Sequence, residues 1–442
     1  MRNRALFTCN ALVLALLVFT QGARAQEQDA PKVEIGVQYS SLSINLPGFG
    51  GTEHAPGVGA RVTYNLNDYF AVEAEGNIYP SVTQSDYTTG GDPQQAQFGV
   101  KVGKRWKRFG VFAKARPGFL SSSEVAVFAG TRTVDLNGVP FTFPLFEARR
   151  QTRFTTDVGG VLEFYPSRKI VTRFDFGDTI IRYGSHTVTA PSVPDSTTIP
   201  TTERPAKTEH NFQFTAGVGF RFGGGDGGSG AGATDDTSSS GDAPRFEVGV
   251  QFTSLTLNAP RTVFFLSPAA VTETSNEPGF GGRVTYNIND SVAVEAEGNF
   301  FTTRTDISDI STGGHPFQMQ FGAKVGRRYD RFGVFAKARP GFVGFSSVTE
   351  ITGTDVETFG GNPFFFPAFR QTRKLYFSTD VGGVLEFYPS RRLVTRFDFG
   401  DTIIRYGERN AFFSDFITTT PVIVPAEIKH NFQFSAGLGF RF

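Results

Sequence analysis

Thiols are nearly absent from this sequence: one cysteine, Cys9, occurs in 442 residues. It sits in an N-terminal stretch that reads as a leader, with basic Arg2 and Arg4, an apolar run from Ala11 to Phe19 and a small-x-small site at Ala23-Arg24-Ala25. Cleavage after Ala25 leaves no thiol, which excludes a disulfide framework, a thiolate metal site and a cysteine nucleophile from the remainder. Long apolar runs are lacking too: the leader's own falls short of the roughly 20 residues a spanning helix needs, and none after it comes closer. Excess charge is missing as well. Lys plus Arg number 43 against 42 for Asp plus Glu, so a net charge of +1 offers nothing that would attract nucleic acid. The five histidines (His54, His186, His210, His315, His430) lie in or beside expected loops with no second ligand at metal spacing, so no metal and no cofactor is expected. Gly99 to Lys104 (GVKVGK) lacks the spacing and the following Ser or Thr of a phosphate-binding loop.

What is abundant is phenylalanine, with 49 residues, and glycine, with 51. The chain also repeats itself. Arg108 to Phe119 (RFGVFAKARPGF) recurs at Arg331 to Phe342, Thr156 to Arg168 at Thr379 to Arg391, and Val171 to Gly184 at Val394 to Gly407. Between the copies Gly223 to Ala243 (GGGDGGSGAGATDDTSSSGDA) has the composition of a flexible coil. The expected layout is a leader at 1–25, a first unit at 26–222, a linker at 223–243 and a second unit at 244–442.

Each unit holds eight stretches with period-two alternation, in the first near Lys32–Ser41, Gly57–Asn65, Phe70–Tyr79, Gln95–Trp106, Phe109–Leu120, Arg153–Tyr165, Ile170–Tyr183 and Glu209–Phe222. Tight turns such as Leu66-Asn67-Asp68-Tyr69 join alternate pairs, and long polar connections join the others. Every length difference between the copies falls in a long connection. One rim is therefore constant and the other free to vary.

The last stretch sets the parity. Phe212, Phe214, Ala216, Val218, Phe220 and Phe222 share one face, and Gln213, Thr215, Gly217, Gly219 and Arg221 share the other. A charge facing mid-bilayer costs roughly 2–4 kcal/mol, so the aromatic face points outward to lipid. The inward charges are then Glu34, Arg61, Glu73, Glu75, Lys101, Lys114, Arg116, Asp157, Glu163, Arg173, Asp175 and Arg221. The second copy repeats them as Glu247, Arg283, Glu295, Glu297, Lys324, Lys337, Arg339, Asp380, Glu386, Arg396, Asp398 and Arg441. Six acids against six bases in each copy are read as a packed ionic core, because an eight-stranded ring leaves an interior just wide enough for side chains. Tyr64, Tyr69, Phe70, Trp106, Phe109, Phe164 and Tyr165 read as an interfacial girdle near the short turns. Phe174 and Phe176 pointing out would carry Asp178 out with them, and a bulge at Gly177 is the expected remedy, turning Asp178 in and Tyr183 out.

Taken together the pattern resembles the eight-stranded outer-membrane barrels of the OmpA transmembrane-domain and OmpX type, duplicated in tandem. The resemblance implies an all-β, antiparallel, up-and-down transmembrane β-barrel fold in the outer membrane of a diderm bacterium, with long loops outside and turns, linker and termini in the periplasm. Two separate barrels are expected over one of sixteen strands, since each copy has its own strand set and its own Phe-Arg-Phe ending. The ending at Phe440 and Phe442 resembles the terminal signal that such proteins present to the barrel-assembly machinery, and outer-membrane lipid is the other partner implied. Some barrels of this size modify lipids. Ser185-His186 has Glu408-Arg409 at the matching place, so an enzyme is not expected. The function expected is that of a non-enzymatic barrel with a charge-paired lumen whose surface loops serve envelope structure or surface interaction. The alternative is a porin or small-solute channel, formed by one sixteen-stranded barrel or by two narrow ones, and a surface lipid-modifying enzyme ranks last. In the third long connection Pro140-Phe-Thr-Phe-Pro-Leu-Phe146 returns as Pro363-Phe-Phe-Phe-Pro-Ala-Phe369, which makes Phe141, Phe143, Phe146, Phe364, Phe366 and Phe369 candidates for contact with an extracellular partner.

Overall fold

The computed structural model describes residues 31–47, 51–80, 87–136, 139–189, 193–194, 199–223, 244–262, 270–303, 310–359, 362–414 and 419–442. The expected leader, and the expected linker beyond Gly223, lie outside them. Sixteen strands make two closed antiparallel rings. The first ring comprises β1 (Val33–Leu46), β2 (Gly51–Asn65), β3 (Phe70–Ile78), β4 (Gln94–Arg105), β5 (Phe109–Leu136), β6 (Val139–Phe164), β7 (Ile170–Tyr183) and β8 (Lys207–Phe222). The second comprises β9 (Phe246–Thr262), β10 (Ala270–Asn287), β11 (Val292–Phe301), β12 (Pro316–Arg328), β13 (Phe332–Phe359), β14 (Asn362–Phe387), β15 (Leu393–Tyr406) and β16 (Phe432–Arg441). Each ring closes on itself, β1 against β8 (Glu34 opposite Arg221) and β9 against β16 (Glu247 opposite Arg441), so a single sixteen-stranded barrel is excluded.

Short turns are held by their own polar side chains. The Asn67 carboxamide oxygen accepts from the backbone N–H groups of Tyr69 and Phe70, and Ser167 accepts from those of Lys169 and Ile170. Asn289 and Ser390 repeat this in the second ring. On the opposite rim two of the connections expected as loops are strand instead. β1 and β2 run on to pair Leu46 with Gly51, and β5 and β6 to pair Leu136 with Val139. A hairpin in water satisfies its own backbone and needs no apolar face, so the polar, Thr- and Val-rich sequence beyond Ser121 continues the ladder. A bulge between Phe128 and Gly130 re-aims that hairpin. Gly130 takes φ +148°, a region that side chains disfavour.

The two rings lie against each other through β1, β7 and β8 of the first and β9, β15 and β16 of the second. Phe174 stacks on Phe397 with ring centroids 5.7 Å apart, and the Thr172 and Thr395 hydroxyls are 3.0 Å apart.

Candidate functional site

The interior of each barrel is the place where charge and chemistry concentrate. All twenty-four charged residues placed on the inward face by parity are at most 8% exposed. In the first lumen Lys101 donates to Glu163 and lies 3.5 Å from Glu73. Arg173 bridges Glu73 and Asp175, its Nε 2.5 Å from the Asp175 carboxylate. Arg116 reaches Glu75 and Asp157, the latter at 2.6 Å, and Lys114 approaches the same Asp157 at 2.8 Å. Arg221 donates to Glu34 at 3.2 Å, and Arg61 donates to the Gln38 carboxamide at 2.8 Å. The second lumen repeats the scheme with Lys324 on Glu386, Arg396 on Glu295 and Asp398, Arg339 on Glu297 and Asp380, Lys337 on Asp380 and Arg441 on Glu247. Arg283 adds Asp398 at 3.5 Å. Bidentate guanidinium–carboxylate pairing of this kind is how several buried charges share one dry space. Glycine makes the room: at Gly99 a Cβ would sit 2.6 Å from the Cα of Arg116.

Two members of the network were missed by the sequence reading. Arg105 lies 3.6 Å from both Glu34 and Glu163, and Arg328 lies as close to Glu247. The charged layer near the short turns therefore holds seven bases against six acids in each lumen, not six against six. The signal was present, since Arg105 follows Lys101 at the even spacing that shares a face, but it stands at the end of its strand. Tyr165 corrects the girdle in the same way. It is two residues on from Glu163 and so faces inward, donating its hydroxyl to Glu163 at 2.7 Å while Arg221 stacks over its ring at 4.3 Å. Tyr64, Phe70, Trp106 and Phe109 remain exposed on the outer wall, whereas Phe164 is covered by the other barrel.

Above the charged layer lies an amide layer, in which Gln38, Asn77, Gln95, Gln213 and Thr179 bond one another. Above that lies an apolar plug. Leu42, Ile44, Ala55, Tyr79, Leu120, Ile181 and Tyr183 fill the first lumen, and Leu255, Leu257, Phe301, Val343, Phe345, Tyr376, Ile404 and Tyr406 the second. Inward-pointing Ile181 and Tyr183 show that β7 has no bulge at Gly177. Its register against β8 is unbroken, Asp178 stays outward, and it is satisfied at the rim by His210 Nδ1 at 2.5 Å and the Asn211 N–H at 3.0 Å. A groove of about 710 Å³ exists, but it lies on the outer wall, lined by Val37, Val58, Ala60, Ile78, Ala96 and Phe119.

The aromatic candidates of the third long connection fall on both faces of the β5–β6 hairpin. Phe141 and Phe143 share one face with ring centroids 6.4 Å apart, while Phe146 packs on the other against Phe128 and, at 5.4 Å, against Tyr87. Phe143 and Phe146 are 37% and 42% exposed, and Phe369 is 55% exposed. The side chains of Phe364 and Phe366 lie outside the described part of the structure. Phe440 and Phe442 of the terminal motif point outward and are exposed.

Residues 11–222 match the family described as the outer membrane protein β-barrel domain. The first repeat belongs to that family. The second repeat closes into an eight-stranded ring of the same strand order with the same charged layer. Similar solved structures include the N-terminal β-barrel domain of Pseudomonas aeruginosa OprF (12% identity, 44% of this chain and 97% of that one, TM-score 0.24). They also include the attachment invasion locus protein Ail of Yersinia pestis (10% identity, 44% and 99%, TM-score 0.27). Over both repeats the CymD monoaromatic hydrocarbon channel aligns with 94% of this chain and 90% of its own (8% identity, TM-score 0.29). None of the curated proteins matches the chain.

Proposed function

We propose that this outer-membrane double barrel is a non-enzymatic scaffold that holds surface hairpins outside the cell, not a pore. The observation that carries the reading is the filling of both lumens, by ion pairs near the short turns, amides in the middle and an apolar plug near the long connections. An eight-stranded ring packed in this way leaves no aqueous path for a solute. The hairpins supply the second half of the reading. In the first repeat β5 and β6 run from Phe109–Leu136 and Val139–Phe164, well past the roughly 9–11 residues that cross a membrane. The twelve residues from Val125 to Leu136 alone reach about 40 Å at ~3.3 Å per residue. Long connections facing outward, short turns and the linker in the periplasm, and Phe440 and Phe442 as the assembly signal complete the proposal.

Single-channel recording on the refolded chain tests it. No stable openings are expected, and steady conductance on the nanosiemens scale would replace the scaffold with a porin. For the hairpins, cells displaying the chain are compared with cells displaying a Phe143→Ser, Phe146→Ser, Phe369→Ser variant for self-aggregation and surface attachment. Identical behaviour of the two would remove the interaction role.

A further inference from the structure

Lipid-facing side chains of one parity meet two different environments. On the walls away from the second barrel Phe98, Phe119 and Phe154 are 57%, 51% and 51% exposed, whereas Tyr39, Phe174, Phe214 and Ala216 on β1, β7 and β8 are at most 9% exposed. What covers them is the same face of the second repeat. Tyr39 stacks on Phe434 at 4.0 Å, and Phe214 stacks on Phe252 at 4.1 Å. In the repeat alignment Tyr39 corresponds to Phe252 and Phe214 to Phe434, so the two stacks are one contact made twice. Thr172 and Thr395 correspond to each other, as do Phe174 and Phe397, and these pairs meet themselves on the seam. A contact in which residue i meets j while j meets i, with self-pairs between, is the signature of a two-fold isologous interface. β2 and its counterpart β10 also approach each other, which extends the seam on the same axis.

The chemistry suits lipid. Apolar burial drives nothing between surfaces already in hydrocarbon, so association there rests on close packing and on hydrogen bonds that lipid cannot offer. Stacked rings supply the first. The Thr172–Thr395 hydroxyl pair supplies the second, and the Tyr39 hydroxyl bonds Ser254 across the seam.

We infer that the β7–β8–β1 face of each repeat is a barrel-recognition surface whose partner is the same face of the other repeat, and that it holds the two barrels together in the membrane without help from the linker. The double barrel is then a covalently joined form of a two-fold dimer. Ring order places β4 and β5 opposite the β8–β1 closure, so the seam sets the two long hairpins at opposite ends of one rigid body.

The test uses the full chain in the outer membrane. With Cys9 the only native cysteine, a Thr172→Cys, Thr395→Cys variant should form an intramolecular disulfide on mild oxidation, seen as a faster band on a non-reducing gel, and neither single variant should form it. A second form carries a protease site within 223–243. After cleavage and mild detergent extraction the halves should co-purify, and adding Phe174→Ala and Phe397→Ala should lower their recovery as a pair at least tenfold. Absence of the cross-link, a cross-link only between separate chains, or separation of the cut halves with the seam intact would each overturn the inference. Equal recovery of the cut halves with and without the two alanines would do so as well.

Discussion

Near the short-turn rim the two lumens hold the same side chains in the same contacts, Lys101 on Glu163 answering Lys324 on Glu386 and Arg173 on Glu73 answering Arg396 on Glu295. Near the opposite rim they have diverged: Tyr79, Ser122 and Arg153 of the first lumen are Phe301, Phe345 and Tyr376 in the second. In the first plug the Tyr79 hydroxyl meets Ser40 and Gln95 at 3.0 Å each, and Arg153 stacks over Tyr183 at 4.9 Å. In the second, Thr253 stands at the place of Ser40 and turns to Ser435 at 2.9 Å, while Tyr376 packs on Tyr406 at 4.7 Å. The difference teaches which interiors tolerate drift. Altering one member of a buried ion network leaves the others uncompensated, whereas a plug held by packing accepts a new set of shapes if the volume is kept.

The strongest way to test that equivalence is to break the networks one barrel at a time. Arg116→Ala should cost about 3–5 kcal/mol, because it removes the guanidinium that Glu75 pairs with and leaves Asp157 to Lys114 alone. Arg339→Ala should cost the same in the second barrel. Urea unfolding in micelles reads both, and Trp106, the only tryptophan, reports the first barrel alone. Lys114→Ala should cost less than Arg116→Ala, since Arg116 still covers Asp157. Unequal losses for Arg116→Ala and Arg339→Ala would mean that identical contacts are not energetically identical.

A cavity in the plug comes next. Phe345→Ala should destabilise the second barrel by about 3 kcal/mol, while Ser122→Ala at the matching place in the first should change little. Equal effects would show that the two plugs are not packed differently. Smaller still is the hydroxyl of Tyr79. Tyr79→Phe installs the residue the second lumen uses and should cost about 1 kcal/mol for its lost hydrogen bonds, read by the Trp106 transition. No shift would mean that the Tyr79 hydroxyl adds nothing to the packing of the first plug. At the bottom of the scale Glu350→Gln, on the exposed hairpin of the second repeat beside Arg370, should leave the unfolding midpoint unchanged.

Much of the lumen was legible because a strand's side chains alternate with period two and a charge cannot face lipid cheaply, so one anchored strand orients the others. What escaped shows where that logic stops. Arg105 and Tyr165 stand on the inward parity but at strand ends, where a turn was expected to take over. Asp178 is a charge on the outward parity, and parity alone calls for a bulge there. Parity carries no height along the barrel, and height is what matters here, since at the rim His210 and Asn211 satisfy an outward carboxylate. The long hairpins look like loops in sequence because ladders in water need no apolar face to form.

By itself the sequence determined the class of fold, the duplication, the eight strands of each unit and the inward set of charges, since all of these follow from periodicity and from repetition along the chain. Which acid meets which base was decided by the tertiary structure, because it depends on register around a closed ring. So was the plug, which forms where β1, β2, β5 and β7 carry apolar residues above the amide layer. The seam is the plainest case. An outward phenylalanine bound for lipid and one bound for another barrel obey the same rule in sequence, and only the packing of the two rings tells Phe174 from Phe119.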